Sequence, residues 1–339
     1  MGISLRRATA ADCDRLVSFY REFHAARARL TDPAIWRWQF LEQPHAAGIV
    51  PFFILEDGGQ ICGGIGYLCV KIRTGERVVD GLVPVNYFIN PAYRGLPALR
   101  LFRAVLQESP VTIGTYVSQD ALGLLNKSGF EDLSSEVHVY YYPLRAAANG
   151  SLASRLKATL RSAWEAVRAV GLRISQPGLA YRVSTELDHA FVRDPGWWPG
   201  LQCLQKSSEW LDWRYRKSPL LRARFVYQTR RGEPCGLAVI HVDAAKDTLV
   251  ILDLLVHSAD DGPIYGLVDE ILAVARREKC ALVVCHAVST RLRRIFRNCL
   301  FGSRQSDVNL LVLCREAGLS GALADPGRWT FQLGDSDVY

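Results

Sequence analysis

The sequence lacks the features that would place the protein in a membrane, outside the cell or around a metal ion. Its longest apolar runs, such as residues 249–256, have the length of a strand and are far too short to cross a bilayer. Residues 1–16 lack the apolar core of a signal peptide. The nine cysteines include no CxxC pair, and the seven histidines show no spacing typical of metal ligands. We therefore expect a cytoplasmic protein with reduced thiols and no metal site.

Acidic residues are fewer than basic ones, which gives the 339-residue chain a net charge of +7. A positive protein suits an anionic partner such as a nucleotide-bearing cofactor, nucleic acid or a membrane surface. An arginine-rich codon usage explains the same excess equally well. Hydrophobic residues make up 49% of the chain, so a sizeable core can form, and the length suits two domains.

Two stretches of the chain follow the same pattern. Residues 36–44 and 210–219 both contain a tryptophan and a proline at a shared offset of 175. GQICG then matches GEPCG at an offset of 173, and residues 118–130 match residues 289–301 at an offset of 171. Because the order is kept while the offset drifts by only a few residues, the sequence predicts an internal duplication.

Each copy has the order strand, helix, helix, antiparallel hairpin, strand, helix, strand, helix, strand, which predicts an α/β fold with a mixed sheet. We place the first copy at residues 1–145 and the second at residues 180–316. The repeated tryptophans, Trp38 and Trp213, are expected to anchor a short helix to each sheet. An aromatic wall of a ligand pocket is the alternative.

Residues 146–179, between the copies, form a basic helical linker with apolar side chains at helical spacing. We expect this helix to pack its apolar face between the domains. The alternative is peripheral membrane contact, with residues 151–173 lying on an anionic surface. Residues 317–339 are predicted to be a C-terminal tail.

Two motifs in the first copy resemble a known family. Residues 88–106, FINPAYRGLPALRLFRAVL, lead from a strand into a helix, and residues 116–131 read YVSQDALGLLNKSGFE. They resemble the GNAT N-acetyltransferase superfamily, whose acyl-coenzyme A motif runs x-P-x-[YF]-[RQ]-G-x-G-x-[GA]. Pro97 and Leu99 stand where that motif has glycine, and Leu125 stands where the second motif has tyrosine.

The resemblance implies two tandem GNAT-like domains and acetyl-coenzyme A, or another acyl-coenzyme A, as the cofactor. The pyrophosphate would bind at the N-terminus of the helix, where backbone N–H groups converge. The residues that the resemblance implies for cofactor binding are Phe88, Ile89, Arg94, Gly95, Leu96, Ala98, Leu99 and Asn126.

Acyl transfer to an amine needs a donor for the thioester oxygen, a base for the amine and a proton for the leaving thiolate. The resemblance implies a backbone amide near residues 88–89 as the first of these. Leu125 has no proton to give, so the third role is vacant or moved. The candidates are Tyr116 and Ser118 as proton donors and Asp80 as the base, with His138 and Tyr87 as alternatives for the base.

The second copy departs from the family motif. Asp260 and Asp261 fall just before the helix at which a pyrophosphate would bind, and two carboxylates there would repel the cofactor. We therefore expect the second copy to be a degenerate domain with a structural role, covering a sheet face or forming one wall of the acceptor site.

Three functions are compatible with the sequence. The resemblance implies an N-acyltransferase acting on a small amine, and similarity to tandem members suggests an amino sugar of surface-polysaccharide biosynthesis. The second function is an aminoacyl-tRNA-dependent transferase like those of the Fem family, the one case in which a nucleic acid would be a partner. The third is a non-catalytic binding protein, favoured by Pro97 and Leu125.

Overall fold

A computed structural model describes residues 2–24, 28–145, 152–192, 196–316 and 318–336. Within them the chain forms two mixed β-sheets of eight strands each, with helices packed against them. The α/β fold that the sequence predicts is confirmed.

The first half of the chain begins with a capping box. The Thr9 amide donates to the Asp12 carboxylate at 2.9 Å, just before the first helix. The elements of this half are β1 (Ser4–Arg7), α1 (Cys13–His24), α2 (Pro33–Leu41), β2 (Phe52–Asp57), β3 (Gln60–Thr74), β4 (Arg77–Ile89), α3 (Leu96–Leu106), β5 (Val111–Thr115), α4 (Gln119–Lys127), β6 (Glu131–Asp132) and β7 (His138–Pro143).

The second half follows a long connecting helix. Its elements are α5 (Leu152–Ser175), β8 (Leu179–Ser184), β9 (Cys203–Leu204), α6 (Ser208–Leu211), β10 (Ala223–Arg230), β11 (Glu233–Asp243), β12 (Thr248–Val256), α7 (Gly262–Arg277), β13 (Leu282–Val288), α8 (Thr290–Asn298), β14 (Gly302–Gln305), β15 (Leu310–Cys314), α9 (Ser320–Leu323) and β16 (Phe331–Gln332).

The two sheets have the same strand order, as a duplication requires. The first runs β1-β2-β3-β4-β5-β15-β6, and the second runs β8-β10-β11-β12-β13-β7-β14. In each sheet the fourth and fifth strands are parallel, while their other neighbours are antiparallel. The remaining strands, β9 and β16, pair with β3 and β13.

The last strand of each copy, β7 in the first and β15 in the second, lies in the sheet of the other half. Strand β15 pairs with β5 from Leu310–Thr115 to Cys314–Val111, and β7 pairs with β13 from Leu282–Pro143 to Ala287–His138. The sheets therefore do not follow the sequence limits 1–145 and 180–316, because each unit borrows one strand. Local periodicity fixes where a strand lies in the sequence but carries no information about which of two equivalent sheets accepts it.

The repeated tryptophans meet each other at the junction of the two halves. The Trp38 and Trp213 rings stack with centroids 5.1 Å apart. Each indole N–H donates to the backbone carbonyl of the other, at 2.9 and 2.8 Å. Both side chains are buried, so they join the two copies and form no wall of an open pocket.

Helix α5 packs against the second half with its polar face. Arg168 donates to Asp269 at 2.9 Å, and Glu165 accepts from Tyr142 and Arg276. The expectation that the apolar face would be buried between the domains is wrong for the described part of the helix. Five of its apolar side chains are exposed: Leu160, Trp164, Val167, Val170 and Ile174.

The C-terminal residues are not a tail over the described range 318–336. Trp329, Phe331 and Leu333 are buried, and β16 is paired with β13 in the second sheet. Alternating apolar residues in the segment WTFQLGD were the available signal for a strand, and the sequence analysis missed it.

Candidate active site

A cleft opens between β4 and β5 of the first sheet. These parallel strands pair only at Gly81–Val111 and Leu82–Thr112. Beyond that point, residues 83–89 of β4 have no strand partner on the β5 side within the described part of the chain. Their backbone groups on that side are available for a ligand that lies along the strand.

A β-bulge in β4 sets the direction of the residues at the end of the cleft. The register with β3 shifts near Asn86, which has a φ of 54°. The Asn86 side chain donates to Gln39 Oε1 at 2.9 Å, and the backbone carbonyl of Asn86 accepts from the Tyr20 hydroxyl at 2.6 Å. Helices α1 and α2 therefore hold the bulge in place.

Beyond the bulge, successive side chains lie on opposite faces of the sheet. Tyr87 lies on the α3 side, where its hydroxyl donates to the Ala98 carbonyl at 3.1 Å, and burial raises its pKa to about 12. Phe88 lies on the α1 side, with its ring 5.6 Å from that of Phe19. Since the Asn90 amide donates to β3, the Ile89 N–H points away from β3 and into the cleft.

The first turn of α3 is exposed beside the cleft. Gly95 precedes it with a φ of 94°, a conformation that favours glycine. The first intrahelical bond runs from the Leu99 amide to the Gly95 carbonyl at 3.0 Å. The amides of Leu96 and Ala98 come before it and have no partner within the helix, while Pro97 has no N–H. Together with exposed Arg94, they form a positive surface suited to an anion.

Helix α4 contributes a core residue where the family motif has a tyrosine. Leu125, at the usual tyrosine position, is buried, and a Cβ built on Gly114 would lie 3.1 Å from its Cδ2. It fills the core beneath β5 and has no acidic proton to donate. Asn126 is exposed in the last turn of the same helix.

The candidates Tyr116, Ser118 and Asp80 are not brought together. Tyr116 follows β5 with a φ of 51° and lines a small cavity with His286 and Ser336 of the second half. Ser118 is the N-cap residue of α4. Asp80 lies at the start of β4, paired with Lys71 on the surface. Nine residues of strand separate it from Ile89, or about 30 Å, so it does not reach the cleft end.

A depression of about 350 Å³ lies between α1 and the start of β3. It is lined by Phe19, which contacts Phe88, so it borders the end of β4 on the α1 side. Asp14 and Glu22 also line it. Sequence reasoning missed both carboxylates, because on an amphipathic helix they look like ordinary solvent-facing residues.

The equivalent cleft of the second half is filled by the chain itself. Strands β12 and β13 pair at four positions and then separate, and β16 lies in the gap against β13. The Gln332 side chain accepts from the Leu254 amide at 2.7 Å and donates to its carbonyl at 2.9 Å. Trp198 adds a bond from its indole N–H to the same carbonyl at 2.8 Å.

Buried charges hold this C-terminal segment in place. Lys206 forms ion pairs with Asp253, at 3.2 Å, and with Asp335. The Tyr215 hydroxyl donates to Asp253. Burial raises the pKa of Asp335 to about 6, against the opposing effect of the Lys206 charge.

The first turn of α7, the counterpart of α3, is also covered. The Gly262 amide donates to Asp260 at 3.1 Å, and Gln176 donates to the same carboxylate at 2.8 Å. Asp261 pairs with Arg291 at 2.8 Å. As far as the described residues show, the second cleft therefore has its strand backbone and helix terminus covered, whereas both are open in the first cleft.

Comparisons with solved structures identify this arrangement. The chain is similar to GCN5-related N-acetyltransferases from Anabaena variabilis (13% identity, TM-score 0.60, 92% of this chain and 72% of that one) and Kribbella flavida (14%, 0.59, 92% and 70%). It is also similar to an Enterococcus faecalis protein of unknown function described as a probable N-acyltransferase (8%, 0.58, 93% and 73%). The sequence matches no family model and no curated protein. The chain therefore has the fold of the GCN5-related N-acetyltransferases, present in two copies that exchange their last strands.

Proposed function

We propose that the chain is an N-acyltransferase that binds an acyl-coenzyme A in the cleft of its first half and acylates a small amine. The observation that supports this most strongly is the contrast between the clefts. The first leaves the β4 backbone and the first turn of α3 open, whereas β16 and Gln332 fill the second.

The residues of the first cleft fit the cofactor. The pyrophosphate would bind at the amides of Leu96 and Ala98, with Arg94 adding positive charge. The positive φ of Gly95 turns the chain so that these amides face outward. The missing N–H of Pro97 removes one donor from this turn, so we expect weaker phosphate binding than a glycine-rich turn would give.

When bound, the cofactor supplies an acyl thioester, which the amine attacks to form an amide while the thiolate leaves. The Ile89 N–H, directed into the cleft, is the donor for the oxygen on which negative charge develops. Phe88 and Phe19 form an apolar boundary on the α1 side, which keeps water from this end of the cleft.

The acceptor would enter from the depression on the α1 side. Asp14 and Glu22 attract an ammonium ion, and either carboxylate is a base for the proton that the amine releases. Arg15 is engaged by Asp12 at 3.0 Å and Glu56 at 2.9 Å, so its charge does not cancel theirs. This chemistry suits a cationic amine, and an amino sugar is the acceptor we expect.

Tyr116 and Ser118 are the proposed sources of the proton for the leaving thiolate. Both lie within three residues of the end of β5, the strand that forms the other wall of the cleft. Tyr116→Phe and Ser118→Ala separate the two, because only the residue that donates should lower kcat when its hydroxyl is removed. A fall of about tenfold or more is expected from the donor variant.

Binding of acetyl-coenzyme A to the purified chain tests the proposal. A ligand that binds only the folded state stabilises it by about 2.7 kcal/mol at one hundred times its Kd, which raises the Tm. Arg94→Glu should remove this shift, since it places a negative charge beside the first turn of α3. Arg103→Glu, at an exposed arginine in the last turn of α3, is the matched control and should keep it.

Turnover is then measured as thiol release with glucosamine and other small amines as acceptors. A Tm shift without turnover on any amine would support a non-catalytic binding protein. The absence of a Tm shift at millimolar acetyl-coenzyme A would contradict the proposal itself.

A further inference from the structure

Helix α5 exposes an apolar stripe to solvent. The side chains that form this α5 stripe, with their exposed fractions, are Leu160 (59%), Trp164 (45%), Val167 (63%), Val170 (56%) and Ile174 (77%). Their spacing places them along one face of the helix. Over fourteen residues the stripe extends about 21 Å.

The orientation of α5 is the reverse of that of an ordinary surface helix. Its charged residues Glu165 and Arg168 face the protein, where they pair with Arg276 and Asp269. Trp164 is held at the surface by a bond from its indole N–H to the Asn298 carbonyl at 2.8 Å. Contacts that turn the polar face inward leave the apolar face outward.

Positive charge surrounds the α5 stripe. Leu160 shares a shallow depression with Leu300, Arg161 and Arg297. Arg173 is exposed beside the other end of the stripe. Among the described residues of α5, the one acidic side chain is Glu165, which is turned inward and paired.

We propose that the α5 stripe docks the protein onto an anionic lipid surface. Apolar side chains would enter the interfacial region while the flanking arginines contact lipid phosphates. Trp164 suits this position because tryptophan is favoured at membrane interfaces. In the described ranges, no helix has both the length and the apolar character needed to cross a bilayer, so α5 would lie on the surface.

Charge decides between a lipid surface and a second copy of the chain. Pairing of two α5 stripes would bring their arginine borders together, and like charges at close range repel. Anionic headgroups would instead neutralise the same arginines. The proposal is independent of the proposed reaction, because none of its residues lines the first cleft.

Trp164 is a built-in probe for the test. The other seven tryptophans are buried, with at most 4% of each exposed, so quenching by an aqueous quencher reports on Trp164. The full chain is mixed with vesicles of phosphatidylcholine, with and without phosphatidylglycerol. We expect co-sedimentation and protection of Trp164 with the anionic vesicles, weakened by salt.

Two variants test the two parts of the surface. Ile174→Asp should weaken vesicle binding about tenfold or more, because it places a carboxylate in the apolar contact. Arg173→Gln should weaken it several-fold and reduce its salt dependence. Val78→Asp changes another exposed apolar side chain, 48% exposed in β4 and away from α5, and should leave binding unchanged.

Three results would overturn the proposal: equal binding to neutral and anionic vesicles, unchanged binding of Ile174→Asp, or no binding at all. In the last case, a dimer in analytical ultracentrifugation that Ile174→Asp abolishes would assign the stripe to a second copy. Circular dichroism of each variant checks the fold, and Arg173→Gln, an exposed polar replacement, decides the matter if Ile174→Asp unfolds.

Discussion

At the scale of single residues, Gln332 shows how the second cleft is closed. Its side-chain amide forms the pair of hydrogen bonds to Leu254 that a neighbouring strand would otherwise provide. The residue is 2% exposed, so water cannot replace it. One glutamine therefore satisfies the backbone at the point where the two parallel strands separate.

Gln332→Leu should lower the free energy of unfolding by about 1–3 kcal/mol, because the buried amide of Leu254 loses its partner and its carbonyl keeps only the Trp198 indole N–H. Chemical denaturation measures the change. Gln107→Leu, an exposed glutamine after α3, should stay within about 0.5 kcal/mol. A Gln332→Leu variant as stable as the parent would mean that the cleft is not sealed by this side chain.

His286, beside Tyr116 at the junction of the halves, makes stability depend on pH. Burial, followed by the charge of Arg304, lowers its pKa in the folded state below the usual 6.5. The unfolded chain therefore binds the proton more readily, and the stabilisation present above pH 6.5 is lost as the pH falls below it.

The free energy of unfolding should fall between pH 7 and pH 5, by about 1.4 kcal/mol for each unit by which the pKa of His286 is lowered. His286→Gln retains a polar partner for Ser306 and should make this slope shallower. Denaturant midpoints at several pH values give the comparison. Equal slopes for parent and variant would show that the pKa of His286 does not differ between the folded and unfolded states.

At the scale of elements, the segments that carry Trp38 and Trp213 join the two copies through a symmetric contact. Each tryptophan supplies both a ring and a carbonyl to the other. The sequence predicted a buried structural role for both, and the structure adds the partner. A repeat shows that two residues are equivalent, but it cannot show that equivalent residues touch.

A double-mutant cycle measures this contact. Trp38→Phe and Trp213→Phe should each destabilise the protein, and their coupling energy should be about 0.5–1.5 kcal/mol. Trp329→Phe is the control partner, since its indole N–H donates to the Leu323 carbonyl away from the pair. Strict additivity of Trp38→Phe with Trp213→Phe would contradict the contact.

For the other elements too, the sequence predicted local structure but not which elements contact each other. The strand that ends at Ile89 and the helix that begins at Leu96 were predicted from local pattern, and they set the site. The exchange of β7 and β15 could not be predicted, because each strand satisfies the same alternation in either sheet. Asp80 was predicted to be the base because it precedes the cofactor motif in the sequence. In the structure the length of β4 separates it from the end of the cleft.

At the scale of the whole molecule, the exchange makes each half incomplete alone. Without β15, strand β5 would expose the backbone that now pairs from Val111 to Thr115, and β6 would lose its neighbour. Without β7, strand β13 would lose the six residue pairs that it forms with that strand. Unpaired strands in the middle of a sheet leave apolar faces uncovered and favour aggregation.

The two halves should therefore unfold in one transition, and residues 1–145 expressed alone should not form a stable fold. Loss of near-ultraviolet circular dichroism and poor NMR dispersion would show this for the fragment, and mixing it with residues 152–339 should restore the signal.

The substitution Leu311→Asp tests the exchange of strands separately from other contacts between the halves. That residue lies far along the chain but is fully buried in β15, so its substitution should unfold the first sheet and abolish cofactor binding there. A fragment 1–145 that folds and binds acetyl-coenzyme A on its own would show that β15 is dispensable to the first cleft. The second half would then be an attachment to an independent domain.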